Sequence, residues 1–237
     1  MSDKATILPL AEALAQGQSH LEGRQPLEAL ELLGRARREH AETSTPTERA
    51  ALHLLTGRAL LAAERGTESI AHFKRAIDLA EEGRDLATQA EGLEQLGTAL
   101  HQRHEFAPAA THFHRAIRLY EKLQDRAGQA RNHRNLGGVQ VDMNNHAGAR
   151  ASYEQARLLY KEAQDLDGLA NSVTNVALLL YRNPGRPAAI AEYRRAMEED
   201  QCAHFLVFNN LGFLLTLDSQ FQEGREYLQK AREDLES

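Results

Sequence analysis

The sequence predicts an all-α fold built from about six copies of one helix-turn-helix unit. A Gly or Ala recurs about every 40 residues, and small or aromatic residues follow it at offsets of +12, +16 and +19. Helix-forming Ala, Leu, Glu, Gln and Arg dominate, and no stretch shows the period of two that is typical of a strand. Together these observations indicate stacked helical hairpins.

The units can be followed in order along the chain. Their first helices carry the small residues Gly17, Gly57, Gly97, Gly137, Ala177 and Gly212. In the fourth unit Gly137 and Ala149 are expected to face each other where the helices cross, with Tyr153 filling the space beside them. We place the repeats at about 8–45, 48–85, 88–125, 128–165, 168–200 and 203–235, in a single domain over residues 1–237.

This pattern resembles the tetratricopeptide repeat (TPR), whose first helix carries Leu-Gly, here Leu136-Gly137, and whose second carries small residues around an aromatic. The resemblance implies a right-handed α-solenoid of about six TPR repeats. A spacing of about 40 rather than 34 residues resembles the subgroup of kinesin light chains, Pins-type scaffolds and Rap-type receptors. The family's Trp is missing, and its large first-helix position holds His53, Leu93, His133, Val173 and Phe208.

Bulk composition narrows the partners and the location. A formal net charge of -6 disfavours nucleic acid as the partner. The apolar run from Phe205 to Leu217 is too short to span a bilayer, so no membrane partner is expected. The single cysteine, Cys202, cannot form an internal disulfide, and the N-terminus does not read as a signal peptide. A cytoplasmic protein is therefore expected.

Asparagine recurs two residues before the small residue of the later first helices. Asn135, Asn175 and Asn210 hold this position, and Gln95 holds it in the third repeat. An amide side chain both donates and accepts, so a row of amides can hold an extended peptide backbone. This resembles the asparagine ladder of the Pins-type and Rap-type proteins. The alternative is that these amides satisfy neighbouring backbone groups or face water.

Other residues on the first helices are expected to supply selectivity. Arg131, Arg134 and Arg182 suit a peptide carboxylate, because Arg pairs with it in a bidentate manner. The alternative is internal salt bridges from Arg131 or Arg134 to Glu91 or Glu94. The candidate peptide-binding set consists of Gln95, Arg131, Arg134, Asn135, Asn171, Asn175, Tyr181, Arg182, Asn210 and Phe213.

Apolar residues of the last repeat allow two interpretations. Leu206, Phe213 and Leu217 can form a pocket for an apolar anchor of the ligand. Alternatively, exposed apolar groups that include Leu214, Leu215 and Leu228 drive a homodimer through the C-terminal repeat.

Chemistry-bearing residues do not form a recognisable catalytic or metal motif. His101, His104, His112 and His114 lack a Cys or carboxylate at zinc-ligand spacing, so no metal is expected. Cys202 and His204, if helical, would point to different faces. With no phosphate-binding loop and no HExxH motif, neither an enzyme nor a cofactor is expected.

The leading hypothesis is a protein–protein interaction scaffold that binds an extended peptide segment of a partner in a concave groove. One alternative is a self-associating module whose groove holds another copy. A second alternative, implied by the Rap-type resemblance, is a peptide-sensing regulatory receptor that acts with a separate output partner.

Overall fold

A computed structural model of the chain describes residues 7–236. Over this range the chain forms twelve α-helices and no strand, which confirms the predicted all-α repeat fold. None of these helices is both long and apolar enough to cross a membrane. The helices are α1 (Leu10–Glu22), α2 (Pro26–Glu39), α3 (Pro46–Ala62), α4 (Gly66–Glu82), α5 (Leu86–Gln102), α6 (Phe106–Lys122), α7 (Arg126–Asp142), α8 (His146–Glu162), α9 (Leu166–Arg182), α10 (Arg186–Glu199), α11 (Phe205–Leu217) and α12 (Phe221–Glu236).

Each odd-numbered helix packs on the even-numbered helix that follows it, so the hairpin is the repeating unit. The chain divides into two compact units after Leu123. The first unit holds α1–α6 and the second holds α7–α12. In both units each even-numbered helix also contacts the next odd-numbered helix, which buries the second side of each hairpin. The assignment of residues 1–237 to a single domain stays a prediction.

Three-residue turns join most of the helices, and their geometry repeats. Except in the 183–185 turn, the middle residue of these three-residue turns is left-handed although it is not glycine, for example Glu64 (φ 61°) and Asn144 (φ 57°). The next residue donates its N–H back over the helix end, as from Asn145 to the Gln140 carbonyl at 2.8 Å. This bond closes a Schellman-type C-terminus.

Side-chain caps fix where the first helices begin. The carboxylates of Asp85, Asp125 and Asp165 accept the N–H of the residue three positions later, at 2.8–3.0 Å. Thr45 and Glu48 form a reciprocal capping box at the start of α3. Helices α5, α7 and α9 therefore start in the same way and carry their groove residues in the same register.

The close contact within a hairpin is a glycine beneath an aromatic ring. A β-carbon on Gly57, Gly97 or Gly137 would lie 2.5–2.8 Å from the ring of Phe73, Phe113 or Tyr153, respectively. The expected partner of Gly137, Ala149, is buried in the same cluster as Tyr153, but the nearest atoms to that β-carbon all belong to the Tyr153 ring. The Tyr153 ring therefore lies directly over Gly137, whereas it was expected beside a contact between Gly137 and Ala149.

Residues 200–204 connect α10 to α11 without regular structure, and a buried ion-pair network holds this linker. Arg157 of α8 pairs with Glu192 of α10 at 2.9 Å and also with Asp200 of the linker. Cys202 is fully buried among apolar residues of the second unit. Together these contacts hold the linker in place where the spacing between the fifth and sixth repeats is 35 residues (Ala177 to Gly212) instead of 40.

Two histidines pack against each other at the edge of the first unit. His53 of α3 lies with its Nδ1 3.2 Å from Nδ1 of His72 on α4, and both rings are half-buried. Burial, together with the smaller effects of the positive charges of His72, Arg37, Arg75 and Arg49, lowers the pKa of His53 to about 4. Burial also lowers the pKa of His72. His53 thus fills the family's large packing position as a neutral side chain.

We expect Gly97→Ala to lower the free energy of unfolding by about 1–3 kcal/mol, because the added methyl would overpack against the Phe113 ring. Gly34 of α2 is the matched control, since a β-carbon there meets only the Arg38 guanidinium at 3.8 Å. Gly34→Ala should stabilise the protein by roughly 0.5–1 kcal/mol through helix propensity. Chemical denaturation measures both changes; equal effects of the two substitutions would contradict the ring-over-glycine account.

The His53–His72 pair predicts loss of stability in acid. The folded state holds His53 neutral down to about pH 4, whereas the unfolded chain protonates it near pH 6.5. The contribution of the neutral ring is therefore complete above about pH 6.5 and is lost as the pH falls towards 4. Allowing for partial solvent exposure, we expect a loss on the order of 1 kcal/mol.

His53→Leu, which copies Leu93 of the next repeat, should flatten this part of the profile of unfolding free energy against pH. His114→Gln, on the exposed side of α6, is the control and should leave it unchanged. The same slope in wild type and His53→Leu would exclude His53 as its origin.

Candidate functional site

The predicted groove residues lie on the odd-numbered helices of both units. Gln95 belongs to α5 in the first unit, where it lines a cavity of about 370 Å³ together with Arg58 and Gln102. The other nine candidates lie in the second unit on α7, α9 and α11. Helix α9 contacts both α7 and α11, so these three helices form one continuous surface.

Asn135 and Asn175 occupy equivalent positions on α7 and α9. Both residues are half-buried, and within residues 7–236 neither side-chain amide makes a hydrogen bond. Asn171, one turn before Asn175, differs: it is exposed and donates from Nδ2 to the Asp167 carbonyl at 2.7 Å. The first two amides are therefore available to a ligand, whereas the third is engaged by its own helix.

Asn210 lies at one wall of a cavity between α9, α10 and α11. Its Nδ2 is 3.5 Å from Oγ1 of Thr174, which in turn donates to the Ala170 carbonyl at 2.9 Å. The buried Tyr193 of α10 contributes its phenol to the same wall. Burial raises the pKa of Tyr193, although contacts with Thr174 and Asn210 act in the opposite direction. A neutral hydroxyl and an amide thus form the polar end of the cavity.

Apolar side chains form the rest of this cavity, whose volume is about 310 Å³. Leu178, Tyr181 and Phe213 line it while they are 50%, 41% and 58% exposed. The expected pocket of Leu206, Phe213 and Leu217 is therefore wrong in two of its three members. Leu206 packs against the core of the second unit instead, and α9 supplies the opposite wall.

Arginines flank this surface near Tyr153. Burial raises the pKa of Tyr153 and Asp142 adds to the rise, whereas the positive charges of Arg134 and Arg182 lower it. Both guanidiniums therefore act on the same phenol, one from α7 and the other from the end of α9. In the described part of the chain Arg134 and Arg182 form no salt bridge. Arg131 is half-buried on α7.

The acidic residues of α5 have partners inside the first unit. Glu91 pairs with Arg58 at 3.3 Å, and the buried Glu94 accepts a hydrogen bond from the Tyr120 hydroxyl at 2.9 Å. These partners do not follow from the sequence pattern, because Arg58 lies on α3 of the preceding repeat and Tyr120 lies on α6, the second helix of the hairpin.

Cys202 and His204 lie in the linker between α10 and α11 and not on a helix. Burial and the nearby Asp200 raise the pKa of Cys202 to about 11, which keeps the thiol protonated. His204 is engaged elsewhere: its Nε2 lies 3.0 Å from Asp167, and its Nδ1 accepts the Leu206 N–H at the start of α11. The two side chains therefore have separate structural roles.

No protein-family model matches the sequence, and no curated protein is significantly similar to it. Solved structures of TPR-like helical repeat proteins share its fold. The apo form of RapI is 13% identical, with 99% of this chain and 87% of that chain covered and a TM-score of 0.71. A Rap protein complexed with Competence and Sporulation Factor is 11% identical, with coverage of 95% and 75% and a TM-score of 0.67.

A third structure is a signal transduction ATPase from Pyrococcus horikoshii that carries a tetratricopeptide repeat sensor. It is 9% identical, with a TM-score of 0.75 over 94% of this chain, which spans only 35% of that longer protein. At these identities the similarity shows the fold alone.

Proposed function

We propose that this protein is a non-enzymatic interaction module that binds an extended peptide segment along α7, α9 and α11. The observation that carries the proposal is the pair of half-buried amides, Asn135 and Asn175, which stand in the same register with no hydrogen-bond partner in residues 7–236. Both amides are open to solvent, so a peptide backbone can replace their water with its own hydrogen bonds.

An extended peptide backbone suits these amides. Each side chain offers one acceptor oxygen and two amide hydrogens, so it can pair with a peptide unit in both directions. Helices α7 and α9 are successive first helices of the array, and contacts between backbone groups and side-chain amides do not depend on the ligand's side chains. Asn210, at the corresponding position of α11, extends the row towards the cavity.

The cavity beside Asn210 supplies side-chain selectivity. Its volume of about 310 Å³ and its walls of Leu178, Tyr181 and Phe213 fit one bulky apolar side chain. Burying such a group is worth about 1.5–3 kcal/mol. Asn210 and Tyr193 at the polar end are placed to bind the backbone of the same ligand residue. The preferred ligand therefore carries a large apolar residue at one end of the bound stretch.

Charge adds a second preference. Arg134 and Arg182 form no salt bridge within the described residues, and both act on the Tyr153 phenol. A ligand carboxylate placed between them would make charge-assisted hydrogen bonds. We infer a peptide with an acidic group near its centre.

We expect the double substitution Asn135→Ala and Asn175→Ala to weaken peptide binding at least tenfold, because each lost pair of backbone hydrogen bonds costs about 1 kcal/mol or more. Peptides selected on the wild type from a displayed random library serve as ligands, and fluorescence anisotropy measures Kd. Asn171→Ala is the matched control, since that amide already bonds within α9.

Circular dichroism should show the same helicity for all three proteins. Equal affinity of wild type and double variant would reject the amide row as the binding element. Failure of the selection to enrich any peptide would reject the proposed function itself.

A second candidate function, self-association, is favoured by an apolar stripe on α12. Phe221, Leu228 and Leu235 lie seven residues apart on one helix face and are 61%, 39% and 66% exposed. Leu228 also packs on Gly212, where a β-carbon would approach its Cγ to 2.8 Å. Residues seven apart on one face form the seam through which helices commonly pair.

For this candidate we expect light scattering to show a dimer that dissociates on Phe221→Glu with Leu235→Glu. These two residues are chosen because they are the more exposed, so their replacement disturbs the hairpin least. Gln222→Glu with Gln229→Glu, on an adjacent exposed part of α12, is the control for added charge. A monomeric wild type at high concentration would exclude self-association.

A further inference from the structure

The even-numbered helices of the first unit carry a band of basic residues from the middle towards the C-terminal end. Each of α2, α4 and α6 contributes two residues, and all six are exposed: Arg35, Arg38, Lys74, Arg75, Arg115 and Arg118. Asp78 is the acidic residue within the band. We refer to these six basic residues as the basic band.

Arg35, Arg75 and Arg115 share one side of the unit because the helices share one register. Arg38 and Arg118 lie one turn further along that side, where α4 has Asp78, and Lys74 is the neighbour of Arg75. Arg35, Arg75 and Arg115 are spaced by the length of the repeat. The residue that follows each of them, Ala36, Ala76 or Ala116, is buried against the odd-numbered helices. Repetition of the same packing therefore presents the same outer face on all three helices.

The band includes one carboxylate, Asp78, but none of the six basic residues forms a salt bridge within residues 7–236. The corresponding residues of α10 in the second unit behave differently, because Arg194 pairs with Glu223 at 2.7 Å and Arg195 with Glu192 at 2.8 Å. Unpaired charge is thus a property of this face of the first unit.

Charges from successive helices converge on the same buried groups. Lys74 of α4 and Arg115 of α6 both lower the pKa of His112, after the larger effect of burial. The Nδ1 atom of His112 is itself buried without a hydrogen-bond partner. Lys74 and Arg115 therefore lie close enough to the same histidine to act on it together, which links the band between α4 and α6.

From this geometry we infer that the basic band is a second docking surface, which binds an extended acidic segment of a partner protein laid across α2, α4 and α6. Arg dominates the band, and its planar guanidinium pairs with carboxylates in a bidentate manner. Ligand carboxylates spaced by the length of the repeat would each reach the basic residues of one helix. This surface is separate from the amide row of α7 and α9.

The surroundings of the band favour a narrow acidic segment over other polyanions. Exposed glutamates follow the band near the C-terminal ends of the three helices, at Glu39, Glu81, Glu82 and Glu121. A flat anionic membrane would contact these carboxylates together with the arginines. Single-stranded nucleic acid commonly binds through stacking aromatics, but the rings of Phe73, Phe113 and Tyr120 on these helices are buried.

The test uses the full chain and a fluorescein-labelled peptide of alternating Glu and Ser. We expect binding that weakens steeply with added NaCl, because exposed charges are screened within about 10 Å at 0.1 M salt. Arg75→Glu with Arg115→Glu should weaken it at least tenfold. Arg225→Glu with Arg232→Glu, which makes the same charge change on α12, is the matched control and should retain affinity.

Further measurements distinguish the basic band from the amide row as the binding site, and an acidic peptide from other anionic partners. The Asn135→Ala, Asn175→Ala protein should bind the acidic peptide like the wild type. Loss of binding in this variant would show that the peptide binds at the amide row instead of the basic band, and would overturn the inference. Tighter binding of a single-stranded RNA oligonucleotide, or of vesicles rich in anionic lipid, would overturn it in favour of that partner. Unchanged melting temperatures of the charge-reversal variants establish that they fold.

Discussion

The contact on which the hairpins depend is an aromatic ring seated on a glycine. In three successive hairpins the first helix offers Gly57, Gly97 or Gly137 and the second covers it with Phe73, Phe113 or Tyr153. This contact fixes how each first helix is rotated about its own axis. Two residues turn a helix by about 200°, so a side chain two positions before the glycine faces away from the ring. The positions of Gln95 and Asn135 thus follow from the packing of Gly97 and Gly137.

Much of the fold was predictable because it is periodic. Six sets of small residues at fixed offsets specify helix pairs, and the turns fall where the pattern is interrupted. Offsets indicate which residues share a face, but not which side chain is long enough to reach the glycine. The offsets indicated that Gly137 lies at the helix crossing, but not that its nearest neighbour is the Tyr153 ring. The Arg157 network was not predictable, since it occurs once in the chain and has no period.

The candidate site likewise has one part that follows the period of the repeat and one part that does not. The amide row could be predicted because Asn135, Asn175 and Asn210 follow the register of the repeat. The walls of the cavity could not, because they depend on how α11 is offset against α9 after a step of 35 residues instead of 40. After this shorter step Phe213 lines the same cavity as Leu178 and Tyr181, whereas Leu206 packs against the core of the second unit. The apolar pocket thus arises where the repeat departs from its own period.

Repeat packing uses few positions in each hairpin, so the remaining faces are free to differ between units. His112 of α6 and Glu192 of α10 occupy the same outer position of the repeat, but their surroundings differ. In α6 this residue has its pKa lowered by burial and by the charges of Arg115 and Lys74. In α10 it neutralises two arginines, Arg157 and Arg195. Amide recognition depends on short-range hydrogen bonds, whereas the basic band acts over a Debye length and loses strength in salt. One packing rule can therefore support two recognition surfaces that respond differently to ionic conditions.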